Sequence, residues 1–353
     1  MRKIKNIIIF TIICGIIQTF LYCPKTIYAA TVSRGEYVLE INSMRSIHRL
    51  NENKKLPMAS TTKILTAITV IENFPIEKVV SVPSSCVGTE GSSVYLREGE
   101  RLTVEELLYG LLLRSGNDCA ETLAATLGSG RSEFIALMNK TAEKCGAKNS
   151  NFTNPHGLHD DNHYTTAKDL CLIAAHAMKN PLFKKIVSTK RISISNDGYS
   201  YDRILINKNK MLSFYEGCNG VKTGYTKKAG RCLVSSVEKN GMSVVAVVIN
   251  SPQMWERSAE LMDEAFCNYE MKRLFSGEDL SDKIYYDESG KPFKLEADGY
   301  FDYPLKKDEL GDIKILISGK TFENFIKKPE KNAIFEILLE NNLLFSKNIY
   351  TII

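Results

Sequence analysis

The chain is expected to be an α+β protein (α/β in the broad sense): an antiparallel sheet flanked by helices, with a helical insertion, followed by a small C-terminal all-β domain. Three observations predict this. Two strand-like runs, 36–42 and 46–50, precede a long stretch of helical periodicity. From about Ile192 the hydrophobic period changes from 3.6 to two, and Lys239-Asn240-Gly241 supplies a strong hairpin turn between 233–237 and 242–249. A final helical pattern over 256–269 closes the first part, giving the strand–helices–strands–helix order of a sheet with helices packed on it.

In chain order, the N-terminus comes first. Arg2, Lys3 and Lys5 precede an apolar run from Ile7 to Leu21, and the small residues Ala29 and Ala30 follow. This is the order of a secretory signal peptide over residues 1–30, and the run is short for a membrane span of ~20 residues. An exported protein is therefore expected. Removing that leader leaves 42 basic residues (46 less Arg2, Lys3, Lys5 and Lys25) against 41 acidic ones, so the formal charge falls from +5 to +1. A nearly neutral chain gives no reason to expect a nucleic-acid partner. Of nine cysteines, Cys14 and Cys23 fall in the leader. The remaining seven form no C-x-x-C pair and are read as small buried hydrophobes rather than a disulfide framework.

Helix signals follow. Pro57 to Lys63 opens a pattern with Ile64, Leu65, Ile68 and Ile71 at helical spacing. Residues 80–102 are polar and Gly/Ser-rich, a loop or short-strand region. Thr103-Val-Glu-Glu106 is a capping box for a helix to about Leu113, with further helices from near Asp118 and over 132–145. Thr166-Ala-Lys-Asp169 caps another. Beyond a boundary near 276–282, strand-like runs at 284–286, 293–295, 313–317, 334–339 and 347–352 alternate with turn residues. The domain division is thus a leader over 1–30, a main domain over 31–275 and a small β-sandwich-like domain over 276–353.

Three short motifs carry the chemistry: Ser60-Thr-Thr-Lys63, Ser115-Gly-Asn117 and Lys222-Thr-Gly224. The chain contains decoys, Ser236-Val-Glu-Lys239 and Ser346-Lys-Asn348, but these sit in strand patterns, in the wrong order. In the first motif, i and i+3 spacing at a helix start puts the hydroxyl and the amine on one face, so Lys63 can act as general base to Ser60. The amine must be neutral, and burial beside a second cation, Lys222, would make it so. The Ser60 amide, free at a helix N-terminus, can donate to a developing oxyanion. Ser115 is expected to pass a proton to a leaving amine, and Asn117 to hold a substrate backbone or orient Lys63. The third motif belongs on an edge strand, where an extended peptide can pair. There Lys222 and Thr223 would bind a terminal carboxylate, Gly224 would allow close approach, and the Tyr225 amide would complete the oxyanion hole.

The motif set resembles that of the D-alanyl-D-alanine carboxypeptidase family, the low-molecular-weight penicillin-binding proteins. The likeness extends through Leu56-Pro-Met-Ala-Ser-Thr-Thr-Lys63, Arg114-Ser-Gly-Asn-Asp118, Asn154-Pro-His-Gly-Leu158, Thr166-Ala-Lys-Asp-Leu170 and Gly220-Val-Lys-Thr-Gly-Tyr-Thr226, with Ala229-Gly230 and Arg257 at family spacing. Asn219 and Arg231 depart from the family pattern without removing a catalytic group. The resemblance implies a β-lactamase/transpeptidase-like catalytic fold, a Ser60 acyl-enzyme that removes the last D-alanine of peptidoglycan stem pentapeptides, inhibition by β-lactams, and no cofactor or metal. Arg257 is expected either to assist at the substrate carboxylate or to support the Lys222 strand. His156 is expected to make a loop-fixing hydrogen bond. His159 and His163, beside Asp160 and Asp161, are expected on a solvated loop. Two alternatives stand beside this reading. A class A-like β-lactamase would need a deacylating glutamate among Glu121, Glu133, Glu143 and Glu216, none in an E-x-x-L-N setting. A non-catalytic cell-wall-binding module would be expected to have lost a motif residue. The strand-like C-terminus, 347–353, is not the amphipathic helix that anchors many relatives, so the sequence leaves membrane attachment open.

Overall fold

A computed structural model describes residues 35–286, 290, 292–319 and 331–352. The expected leader, 1–30, lies outside the described residues. Five antiparallel strands form the main sheet: β1 (Gly35–Glu40), β2 (Ser46–Leu50), β3 (Cys218–Thr226), β4 (Gly230–Lys239) and β5 (Met242–Ile249), in the order β2-β1-β5-β4-β3. The first and last parts of this domain therefore meet at the β1–β5 pair, and β3 lies at an edge. The predicted hairpin joins β4 to β5, with Asn240 and Gly241 at φ 52° and 76°, the two left-handed positions of a type I′ turn.

The near-continuous apolar run of β5 follows from burial on both faces. Val245, Val247 and Ile249 join the larger core, beneath the helices; Val244, Ala246 and Val248 face the closing helix Met254–Asn268. In the larger core, helix α1 (Lys63–Asn73) is almost wholly enclosed, with Ile64, Leu65, Ala67, Ile68 and Val70 all buried. A helix that has no wet face can hold Lys63 only in a protein-lined polar niche.

The insertion comprises α2 (Val104–Tyr109), α3 (Asn117–Thr126), α4 (Arg131–Lys144), α5 (Ala167–Met178) and α6 (Pro181–Ser188). The Thr103 capping box is formed in both directions: Glu106 N donates to Thr103 Oγ1 (3.2 Å) and Thr103 N to Glu106 Oε2 (2.8 Å). Thr166 caps α5 by accepting from Asp169 N at 3.0 Å. The helix expected to run from 103 to 113 changes character part-way, Gly110–Arg114 being a wider π turn. The helix Pro181–Ser188 was not expected, although its signal is plain: Asn180 Oδ1 accepts from Leu182 N and Phe183 N, and Pro181 stands at the first helical position.

All five expected C-terminal strands are present in a sheet of order Tyr285–Tyr286, Pro292–Glu296, Asn342–Ile352, Lys331–Leu339, Ile313–Gly319. Two more, Tyr269–Ser276 and Tyr300–Lys306, pair separately and were not expected. Phe275, Leu280, Leu295, Phe335, Ile337 and Ile349 form a core of their own here. Among the described residues no helix is long and apolar enough to cross a membrane.

Candidate active site

The first motif is built on a strained start. Ala59 takes φ 50°, Ala59–Thr62 forms a 3-10 turn, and α1 begins at Lys63. Thr61 and Thr62 close the turn by donating to Met58 O (2.7 Å) and Ala59 O (2.9 Å). Lys63 Nζ then lies 3.0 Å from Ser60 Oγ, 2.7 Å from Asn117 Oδ1 and 2.6 Å from the His156 carbonyl. Two of those neighbours, the amide oxygen and the carbonyl, can only accept. A neutral amine has two N–H groups and one lone pair, so donation to both leaves the lone pair for the Ser60 hydroxyl to donate to. Burial, and after it the Lys222 charge, hold the Lys63 amine well below the usual lysine range.

The second motif follows the π turn. Ser115 sits in the left-handed region at φ 65° and is buried, and Gly116 leads into α3, where Asn117 is the first residue. A Cβ on Gly116 would come 2.7 Å from Asp118 Oδ1 and 3.0 Å from Cys119 Sγ. Asp118 organises the loop above: Ser93 Oγ donates to it at 2.6 Å, and Val94 N and Leu96 N each at 3.1 Å. Asn117 N donates to Ser92 O (2.7 Å), and Lys208 Nζ to Ser92 Oγ (3.0 Å). Neither the anchoring role of Asp118 nor the approach of Lys208 has a signal in the three motifs.

The third motif lies on β3, at the free edge. A Cβ on Gly224 would stand 3.0 Å from Met58 O and 3.1 Å from the amide nitrogens of Ser60 and Thr61, so this strand packs directly on the Ser60 turn. Lys222 is in register with Val234 of the larger core and is fully buried, donating to Thr223 O at 2.9 Å. Burial first, then the Lys208 charge, push its amine down to about 7. Thr223 is half-buried and Tyr225 is exposed. Two neighbouring amines in a dry site do not both stay charged; the geometry favours Lys63 as the neutral one and Lys222 as the cation. The structure thus joins Ser60, Lys63 and Asn117 directly, sets Gly224 against the Ser60 turn and brings the Lys222 charge to bear on Lys63, with Ser115 two residues before Asn117 and Thr223 and Tyr225 flanking Gly224.

Arg257 was expected either to assist at a substrate carboxylate or to support the Lys222 strand, and the structure instead seats it on Glu36. Its guanidinium is bidentate on Glu36 of β1 (Nε 3.0 Å, Nη2 2.9 Å) and also donates to Glu260 (3.0 Å). It rises from the helix packed on the other face of the sheet, and Glu36, also bound by His48 at 3.0 Å, takes its charge there. Both carboxylate and guanidinium are held charged: Glu36 is drawn down by His48 and Arg257 against its burial, and Arg257 is raised.

His156 fixes its loop as expected, with Leu158 N donating to its Nδ1 at 3.1 Å. His163 departs from the solvated loop expected for it. It is buried, Thr153 N donates to its Nδ1 (3.0 Å), its Nε2 meets Thr62 Oγ1 (2.8 Å), and it stands edge-on to Phe152. The physical reason is that Gly157 and His163 pack under the Ser60 turn while residues 159–162 stay exposed; burial lowers this imidazole to about 4. Cys119 packs between Gly110 and Gly116, and Cys86, Cys171 and Cys232 are likewise buried, but Cys267 is exposed, against the reading of every cysteine as a core residue.

Comparison with known proteins gives concordant findings. The D-alanyl-D-alanine carboxypeptidase family model matches residues 25–253. D-alanyl-D-alanine carboxypeptidase DacF of Bacillus subtilis is 32% identical over 259 residues, 71% of this chain; the match spans 66% of that relative's length, just short of two thirds. DacB2 of Mycobacterium tuberculosis is 31% identical over 65% of this chain and 80% of its own. Among solved structures, the Streptomyces K15 DD-transpeptidase superposes with a TM-score of 0.63 at 31% identity, covering 67% of this chain and 97% of that one. The carboxypeptidase DacD of Francisella tularensis covers 91% of this chain and 93% of its own with a TM-score of 0.69; at 22% identity it speaks to the fold alone.

Proposed function

This chain belongs to the D-alanyl-D-alanine carboxypeptidase family, and from that premise we propose that it is a serine-type peptidase removing the terminal D-alanine of peptidoglycan stem pentapeptides. The observation that carries the reading is the Lys63 amine, buried, 3.0 Å from Ser60 Oγ, with its other two neighbours both acceptors. The substrate peptide lies along the free edge of β3. Lys63 takes the Ser60 proton as the oxygen attacks the penultimate carbonyl, and the Ser60 and Tyr225 amides receive the oxyanion. Ser115 delivers the proton to the leaving nitrogen, the C–N bond breaks, and D-alanine departs. Water then hydrolyses the Ser60 ester. Lys222 and Thr223 hold the terminal carboxylate, and β-lactams acylate Ser60 by presenting the same groups.

Support against a class A-like β-lactamase comes from Glu121. Its carboxylate, drawn down to about 2 by His156 and Arg131 against its burial, is bound by both and is not free to activate water. We place the site of action outside the cytoplasmic membrane, with residues 1–30 as the export leader, 31–275 as the catalytic domain and 276–353 as an accessory β domain. The test is release of free D-alanine from a stem pentapeptide analogue. Wild type is expected to release it and Ser60→Ala not to; equal release by both would refute the assignment.

A further inference from the structure

Two acceptors hold Lys63, and they come from separate parts of the chain: the Asn117 side chain opens α3, and the His156 carbonyl belongs to the loop 154–158. A side-chain contact joins those two parts close to the amine. Glu121, one turn after Asn117 on α3, lies with Oε1 2.9 Å from His156 Nε2. Because Leu158 N donates to His156 Nδ1, the neutral ring carries its proton on Nε2 and donates it to Glu121. Arg131, at the start of α4, binds both oxygens of the same carboxylate (Nε to Oε2 2.8 Å, Nη2 to Oε1 3.1 Å). On its other side the loop meets the Ser60 turn: Asn154 Oδ1 accepts from Gly157 N at 2.7 Å, and Gly157, at φ 88°, sits so close to that turn that a Cβ would fall 2.0 Å from Ala59 O.

We infer that Glu121 is a positioning residue for the reaction: by clamping the His156 ring it fixes the distance between the two acceptors of Lys63, and so the reach of that amine to Ser60. The inference rests on the peptidase reading and adds a residue outside the three motifs. A carbonyl displaced by a fraction of an ångström either pulls the amine from Ser60 or loses its hydrogen bond, and misplacements near 1 Å cost up to ~10²-fold in rate. The titratable groups facing this cluster are Lys222 on β3, Lys208 beside Ser92, Asp118 and the Cys119 thiol on α3, Arg131 on α4 and the His163 imidazole of the following loop.

The experiment follows acylation by a fluorescent penicillin in stopped flow, separating the acylation rate constant from the preceding non-covalent dissociation constant. Glu121→Ala and His156→Phe are each expected to lower the rate constant about 10- to 100-fold while leaving the dissociation constant within about two-fold. The double variant should be no slower than either single, since both cut one link. Glu121→Gln, which keeps an acceptor for the ring, should recover most of the rate. Should Glu121→Ala not fold, as judged by its melting curve, His156→Phe and Glu121→Gln carry the comparison. A wild-type rate in Glu121→Ala, a loss confined to the dissociation constant, or full additivity in the double variant would overturn the inference. A second readout needs no activity: NMR titration of ε-13C-labelled lysine should show the Lys63 midpoint falling in Glu121→Ala, as the ammonium loses a fixed acceptor, with Lys222 unmoved. An unmoved Lys63 midpoint overturns the inference too. A wild type that penicillin does not acylate, with the Lys63 shift present, would strike the peptidase reading and leave the clamp standing.

Discussion

The groove around Ser60 and the C-terminal sheet solve opposite problems. Among the described residues, every buried polar or charged side chain lies between Glu36 and Ser258, and the groove takes the costliest of them: Lys63, Lys222, Asn117 and Asp118. In the C-terminal sheet the imbalance is reversed. Ile315, Leu316, Ile317 and Leu343 are exposed, and the first three lie on an edge strand. A thin sheet with one small core cannot cover every apolar residue, whereas the main domain, with helices on one face and the closing helix on the other, has dry space to spare for two amines. The difference teaches where stability has been given up for chemistry: an uncharged lysine inside a core is a poor packing residue and a good base.

The sharpest way to break that comparison is Lys63→Met, which fills similar volume with no base. Acylation by penicillin should fall by ~10²–10⁴ while the melting temperature holds or rises, because an apolar isostere of a buried ionisable group is often neutral or stabilising. A variant that acylates normally, or that unfolds, contradicts the account of the niche. Next comes Gly224→Ala. Its Cβ would press on backbone atoms of the Ser60 turn at 3.0 to 3.1 Å, so the turn must yield a few tenths of an ångström. Penicillin acylation should drop about ten-fold with little change in melting, in keeping with the loss of geometry rather than of fold.

A third prediction uses pH. Folding lowers the Lys222 amine from 10.5 to about 7, so between those values the unfolded chain holds more protons than the folded one. Stability contributed through this group therefore rises as pH rises through that window, and its destabilising effect is fully present below about 7. Lys222→Met should accordingly raise the melting temperature at pH 6 more than at pH 10; equal shifts at both would mean the amine is not desolvated.

On the far face of the sheet, Arg257→Leu strands the buried Glu36 carboxylate and should cost about 2 kcal/mol by urea denaturation. The penicillin acylation rate should stay at the wild-type level, and a large rate loss would restore Arg257 to the substrate site. The smallest effect belongs to Leu316→Lys in the C-terminal edge strand, expected within about 0.5 kcal/mol of wild type. A larger destabilisation would show that this apolar surface is covered in the folded protein.

Much of this was legible in the sequence because it is local. The i, i+3 spacing of Ser60 and Lys63, the Thr103 capping box and the Asn240-Gly241 turn each depend on a few consecutive residues, and backbone geometry translates them directly. Asn180-Pro181 was equally local and was overlooked. The strand Tyr269–Ser276 was harder, since the charged residues Glu270, Lys272 and Arg273 break its apolar pattern and the pairing partner is Tyr300–Lys306, some thirty residues on.

What tertiary structure alone decided was the partner of each charge. Arg257 finds Glu36 from 221 positions away, His163 slides beneath Thr62, and a main-chain oxygen at His156 becomes the third neighbour of Lys63. Periodicity and caps are set by neighbours along the chain; whether an ionised group meets water, a counter-charge or a carbonyl is set by which distant segment arrives beside it.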